Sequence, residues 1–269
     1  MTTATYRNYS GTAAQLYEGF FVPSIATPVS GELLRTAQLA QGERVLDVAC
    51  GTGVITRAAA EQVGATGSVT AVDVAPDMLE VARSIPAAGA PIEWYEADAA
   101  SLPLTDASCD VALSQLSLQF FEDRAGALAE THRVLAPGGR VVINTPGRIQ
   151  PLFEAMEHAI VENLGPDLGA FVTAVFSMPD PASLGEVLAA AGFENVSSME
   201  YSATLNLPGP AEFLWNYINL TPMGGLVADA PEEAKDATER QFVSACAQWL
   251  VEGRMPAEQP VALAWAVRS

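Results

Sequence analysis

The stretch "VLDVACGTGVITRAAA", Val45 to Ala60, joins an apolar strand-like run to an acid, a set of very small residues and a helix-compatible run. Small or absent side chains at Ala49, Gly51 and Gly53 let the backbone turn sharply and let a ligand approach main-chain amides. In an open parallel sheet, ligands bind beyond the carboxyl ends of the strands. A helix opening after Gly53 aims its amino end at the same place. A dinucleotide fingerprint started at Gly51 fails, because its third glycine falls on Thr56, and a P-loop fails because no Lys follows the last Gly. Asp47 stands ahead of the glycines, where it would repel a pyrophosphate and suit a ligand bearing an amine or another cation.

Outward from that turn, residues 44–145 alternate strand and helix signals. "RVLDVA", "GSVTAVDV", "PIEWYEAD", "CDVALSQ" and "RVVINTP" read as strands, and "VITRAAAEQV", "PDMLEVARSI" and "DRAGALAETHRVL" as the helices between them. That alternation predicts parallel crossover units and a sheet covered on both faces. Further on, "PLFEAMEHAIVENLG" and "DPASLGEVLAAAGF" read as helices, "ENVSSMEYSATLNLP" as a strand, "PAEFLWNYINL" and "EEAKDATERQFVSACAQWLVEG" as helices, and "QPVALAWAVRS" as the last strand. The expected organisation is an N-terminal helical cap over 1–40, a cofactor-binding core over 41–148 and the rest of the core with an inserted helix over 149–208. A helical lid insertion over 209–253 and a final strand over 254–269 complete it.

Composition narrows the partners. The 269 residues carry a net charge of −19, which disfavours nucleic acid and anionic membrane surfaces. No signal peptide or bilayer-length apolar run is apparent, and Cys50, Cys109 and Cys246 are too scattered for a disulfide framework. A cytoplasmic protein is expected. Two histidines and no cysteine cluster predict no zinc site, and the expectation is that catalysis needs no metal.

Two more acids end strands. Asp73, in "VTAVDVAPDML", is placed to accept both hydroxyls of a ribose, and Asp98, in "EWYEADAASLPL", to accept from an exocyclic amine such as that of adenine. Val74 and Met78 can offer apolar faces to a base. Each acid alone reads equally as a helix cap or turn residue, but three at successive strand ends with one glycine turn favour a site.

"VLDVACGTG", "AVDVAPDML", "EADAASLPL", "CDVALSQLSLQFF" and "VLAPGGRVVI" resemble the successive motifs of class I S-adenosylmethionine-dependent methyltransferases. The branch they are most similar to includes the ubiquinone/menaquinone-biosynthesis enzymes, methyltransferase type 11. The resemblance covers residues 44–145 and departs from the pattern at Ala49, where the family has its first glycine. It implies a Rossmann-like α/β fold with a seven-stranded, mostly parallel sheet, helices on both faces, an antiparallel last strand over about 260–268 and a helical cap. It also implies S-adenosylmethionine as cofactor. Asp47, Ala49, Gly51 and Gly53 would meet its methionine part, Asp73 its ribose, and Asp98 with the Ala99 amide its adenine. Ser114 and Gln115 would lie beside the sulfonium, with Gln119 close behind.

The expected reaction is in-line transfer of the methyl group to oxygen, nitrogen or carbon of a small, largely apolar acceptor, driven by positioning. The aromatics Tyr9, Tyr17, Phe21, Phe213, Trp215 and Tyr217 read either as core or as the wall of the acceptor pocket, and "MGGL" at 223–226 as a hinge. His158 is a candidate acid/base residue, against the plainer reading of a solvated ion-pair partner of Glu154 or Glu162; His132 reads as packed. Rival functions are a nicotinamide-dependent oxidoreductase and a non-catalytic S-adenosylmethionine-binding partner of another enzyme. A homodimer is left open.

Overall fold

The strands order themselves β3-β2-β1-β4-β5-β7-β6 in a single seven-stranded sheet. This computed structural model describes residues 13–269; the segment holding Tyr9 lies outside them. The strands are β1 (Arg44–Val48), β2 (Ser68–Asp73), β3 (Ile92–Glu96), β4 (Cys109–Gln115), β5 (Leu135–Pro146), β6 (Glu194–Leu207) and β7 (Met255–Val267). β7 runs antiparallel to both of its neighbours, and the other observed pairings are parallel. The expected sheet is therefore present, with β7 beginning five residues ahead of the predicted 260.

Side-chain alternation along the strands builds a core on each face. Leu46 and Val48 of β1, with Ala262, Ala264 and Ala266 of β7, pack under α5 (Arg124–Val134) and α8 (Pro181–Ala190). Val45 and Leu263 face the other way, against α2 (Thr27–Ala37) and α3 (Val54–Val63). α4 (Pro76–Ser84) lies beside β2 and β3, opened by a proline at its first position. Ahead of α2 the chain is already helical, in α1 (Ala13–Leu16) and a wider π-helical stretch, Tyr17–Ala26. The N-terminal piece is thus helical over 13–37.

β6 and β7 continue past the end of β5. Pro146 of β5 pairs with Val261, while residues 202–207 pair with 255–260 beyond it. Against this ribbon pack α6 (Pro151–Leu164), α7 (Pro166–Val175), α9 (Pro210–Asn219), α10 (Met223–Val227) and α11 (Glu232–Cys246). Their shared core includes Phe153, Phe213, Phe242, Leu205 and Met255. The 209–253 segment, read as a lid, is built into this second core. Gly224 and Gly225, read as a hinge, lie inside α10, where a Cβ on Gly224 would stand 3.0 Å from the Asn219 Cα. That glycine lets two backbones approach. Among the described residues no helix is long and apolar enough to cross a membrane.

Candidate active site

The sheet order reverses between β1 and β4, so the crossovers leave in opposite directions and open a crevice at the carboxyl ends of the strands. There lies a cavity of about 460 Å³. One wall is the cofactor side predicted from the strand ends: Ala49, Gly51, Asp73, Val74, Met78, Asp98, Ala99, Gln115 and Gln119 all line it. The rest of the lining is largely apolar and aromatic, with Phe21, Ile25, Val29, Phe153, Phe176, Tyr217 and Val261 among its residues, while Tyr17 lines the cavity beside Gly51.

The turn after β1 is shaped as its small residues demand. Ala49, Gly51 and Gly53 all have positive φ, at 58°, 56° and 85°. At Gly53 a Cβ would come within 2.6 Å of the Trp94 ring, so a side chain there is barred by space as well as by conformation. The ring of Tyr17 approaches Gly51 so that a Cβ there would stand 3.8 Å from it. Asp73 ties the turn to β2: its Oδ2 accepts the Gly51 N–H at 2.7 Å and its Oδ1 the Ala75 N–H at 2.9 Å. Burial pushes its carboxyl above the ordinary range, and these N–H donors pull it back. Each of its oxygens keeps a lone pair for a ligand hydroxyl. Asp98 accepts the Ala100 N–H at 2.9 Å, which folds the loop after β3 around the cavity.

Several predicted residues sit elsewhere. Asp47 is 1 % exposed and does not line the cavity. Its Oδ2 accepts the Thr56 hydroxyl at 2.5 Å, so it fastens α3 to β1. The expectation that it meets a cationic ligand is corrected on that ground: the side chain turns inward, under the glycine turn. Burial raises its pKa to about 7 despite the Thr56 bond. Gly53 stands behind the wall. Ser114, hydrogen bonded to Ser117 at 2.5 Å, also lies off the cavity, while Ser117 lines it. Phe213 is wholly buried in the helical core, in contact with Phe20, Phe153, Tyr217 and Phe242. Trp215 donates its indole N–H to Glu239 at 2.6 Å, away from the chamber. His158 is excluded from acid/base work by position: its side chain is 74 % exposed on α6, 3.4 Å from Glu162. His132 packs edge-on against Phe193 at 5.0 Å.

Other wall residues were not foreseen. Phe120 and Phe121 follow β4 within a quoted motif, and Val175 comes from α7, which the proline at Pro166 signalled and the sequence reading passed over. Gln259, a polar residue at the mouth of an apolar strand, gave no signal at all.

The electrostatics suit a cation. Asp73, Asp98, Glu122 and Asp123 line the cavity and, among the described residues, no Lys, Arg or His does. A pyrophosphate would meet these carboxylates with no cationic side chain among the described lining residues to offset them, which disfavours a nicotinamide dinucleotide. The side-chain oxygens of Gln115 and Gln119 are buried without a protein partner. S-adenosylmethionine, cationic at sulfur and at its amine and rich in donors, fits this wall. No group of three or more His, Cys, Asp or Glu among the described residues is arranged to hold a metal.

A sheet of this order with acids and a glycine turn along one wall of its crevice defines a Rossmann-like methyltransferase. Residues 46–143 match the methyltransferase domain family. The demethylmenaquinone methyltransferase of Staphylococcus epidermidis is 32 % identical over 176 residues, 61 % of this chain and 73 % of that protein. Two solved structures share the fold. Haemonchus contortus phosphoethanolamine N-methyltransferase 2, in complex with phosphomonomethylethanolamine and S-adenosylhomocysteine, aligns at TM-score 0.59 and 19 % identity, covering 98 % of this chain and 60 % of that one. An S-adenosylmethionine-dependent methyltransferase from Aquifex aeolicus aligns at 0.55 and 14 %, covering 97 % and 100 %. The chain belongs to the class I S-adenosylmethionine-dependent methyltransferases of the ubiquinone/menaquinone-biosynthesis type. It is an enzyme that transfers a methyl group from S-adenosylmethionine.

Proposed function

We propose that the methyl group goes to an oxygen, nitrogen or carbon atom of a small, largely apolar acceptor held in the aromatic chamber. The observation that carries this is the continuity of one cavity, with Gly51, Asp73 and Asp98 on one side and Phe21, Phe153, Phe176 and Tyr217 on the other. Cavities of several hundred Å³ with mostly apolar walls and a few polar groups are the usual small-molecule sites. The Staphylococcus relative is named for demethylmenaquinone, a quinone of the apolar class such a chamber suits. Three buried cysteines without disulfide bonds accord with a cytoplasmic setting.

When bound, the sulfonium supplies a methyl carbon already activated by its leaving group. The protein's part is to align the acceptor and exclude water. Asp73 would take the ribose hydroxyls; Asp98 and the Ala99 amide, the adenine edge; Val74 and Met78, the faces of the base. Gln115 and Gln119 would turn their amide oxygens toward the methionine half. No histidine among the described residues lines the chamber. Burial holds Tyr217 well above the usual phenol range, which makes it a neutral hydroxyl and a poor base.

Asp73→Ala should weaken S-adenosylhomocysteine binding by about 1.5–3 kcal/mol, the range for hydrogen bonds to a charged group. Calorimetry checks this, and wild-type affinity would remove Asp73 from the ribose role. The acceptor class is tested by incubating the enzyme with S-adenosylmethionine and panels of quinols, phenols, amines and phosphorylated metabolites, then weighing the products. Methylation confined to phosphorylated acceptors would sink the apolar reading.

A further inference from the structure

Three polar side chains facing the chamber share a construction. Gln259, 5 % exposed, donates its amide N–H to the Pro260 carbonyl at 2.7 Å, and its own amide oxygen is buried with no partner. The amide cannot be turned round, because its oxygen would then face a carbonyl oxygen. Nor can the Pro260 carbonyl shift toward another donor, since it also accepts the Gly147 N–H at 2.8 Å. Gln119 repeats the pattern, with its N–H on the Leu116 carbonyl at 2.8 Å and its oxygen buried and unpartnered. Thr221 donates its hydroxyl to the Ile218 carbonyl at 2.8 Å, leaving only lone pairs. All three line the cavity. In each, a donor is tied to the protein's own backbone, and at Gln259 and Gln119 the buried amide oxygen is left without a partner.

A buried acceptor without a donor is unfavourable until something supplies the proton. Ile25, Val29, Leu205 and Val261 line the same cavity and offer no side-chain donor. We propose that Gln259 is a specificity-determining residue of the acceptor chamber, and that the acceptor carries an O–H or N–H which its amide oxygen receives. This rests on the apolar-acceptor reading and refines it: the substrate class is an apolar ring or chain bearing a hydrogen-bond donor, such as a phenol, a quinol or an aromatic amine. Fully etherified or purely hydrocarbon analogues of the same shape leave the Gln259 oxygen unpartnered and are rejected. Tyr217, which also lines the cavity, carries a hydroxyl able to accept or donate as the ligand requires.

The test uses two probes of one shape, 1-naphthol and 1-methoxynaphthalene, titrated by calorimetry into the full chain loaded with S-adenosylhomocysteine. An apolar wall alone favours the ether. The expected result is that the wild type prefers the naphthol by about tenfold, one good hydrogen bond. Gln259→Leu should abolish or reverse that preference while its affinity for S-adenosylhomocysteine stays that of the wild type. Gln259→Met, matched in length, provides the same comparison if the leucine variant fails to fold. An unchanged preference in the folded variant, or loss of S-adenosylhomocysteine binding along with it, overturns the role of Gln259 alone. If neither naphthalene binds the wild type while S-adenosylhomocysteine does, the apolar-acceptor reading falls and this inference with it.

Discussion

Ala49 holds a backbone conformation that L-residues avoid, with φ at 58° in the turn where the family resemblance has a glycine. The left-handed region costs a residue with a Cβ about 1–2 kcal/mol, while glycine adds roughly 0.4–1 kcal/mol of unfolded-state entropy. The first generally outweighs the second, so Ala49→Gly should raise stability by up to about 1.5 kcal/mol with little change in cofactor affinity. A denaturant midpoint that falls in this variant would show that the methyl group makes a contact worth more than the strain. Asp47 predicts a pH effect. Its folded pKa, about 7, lies above the 3.8 of an ordinary aspartate. Folding therefore favours the protonated form. That stability is complete below the unfolded value and is lost as pH rises through about 7. Asp47→Asn keeps an oxygen for the Thr56 hydroxyl without the buried charge. Its melting temperature relative to wild type should rise between pH 5 and pH 8, and a difference that is flat with pH would contradict the buried-charge account. The acids were legible in sequence because strand ends expose short side chains; what Asp47 touches was not, because a rotamer turned inward leaves no trace in spacing.

At the scale of elements, the strands and helices through residue 146 follow the sequence pattern closely, since each is a short local decision by apolar period, proline and glycine. α3 spans Val54–Val63 and β4 spans Cys109–Gln115, the very runs read from the chain. Legibility fails where an element's meaning depends on distant partners. α9 carries Phe213, Trp215 and Tyr217 on one short helix, yet their surroundings diverge: Phe213 in the core, Trp215 with Glu239, Tyr217 on the chamber. Phe213→Ala should cost about 3–5 kcal/mol of stability, as large-to-small changes in a sealed core do. Trp215→Ala should leave probe binding in the chamber as in the wild type. If Phe213→Ala instead keeps its stability and loses only acceptor binding, the helical layer is a detachable cap after all.

Over the whole molecule, the two halves of the cavity have different origins in the chain. The wall of strand-end acids and glycines comes from residues 49–119, in sequential crossovers, whereas the apolar chamber gathers Phe21, Phe153, Leu205, Tyr217 and Val261 from far-separated elements. Local motifs announce the first half; nothing short of the fold announces the second. S-adenosylhomocysteine at a hundredfold excess over its dissociation constant should stabilise the protein by about 2.7 kcal/mol, and NAD or NADP should not. A thermal shift given only by a nicotinamide cofactor would be incompatible with the site described above. Removing residues 255–269 should leave an insoluble product, because β5 and β6 would both present open edges. A soluble, cofactor-binding truncate in gel filtration would show that the sheet closes without β7.

That last strand has a consequence for the protein's birth. Chains emerge from the ribosome amino end first, at roughly 5–20 residues per second. β5 and β6 are both made before the strand that must lie between them. The nascent polypeptide can therefore assemble its nucleotide-reading half while tethered, yet the slot between its fifth and sixth strands stays vacant until translation reaches residue 267. The acceptor chamber, walled in part by Gln259 and Val261, cannot close before that strand is made.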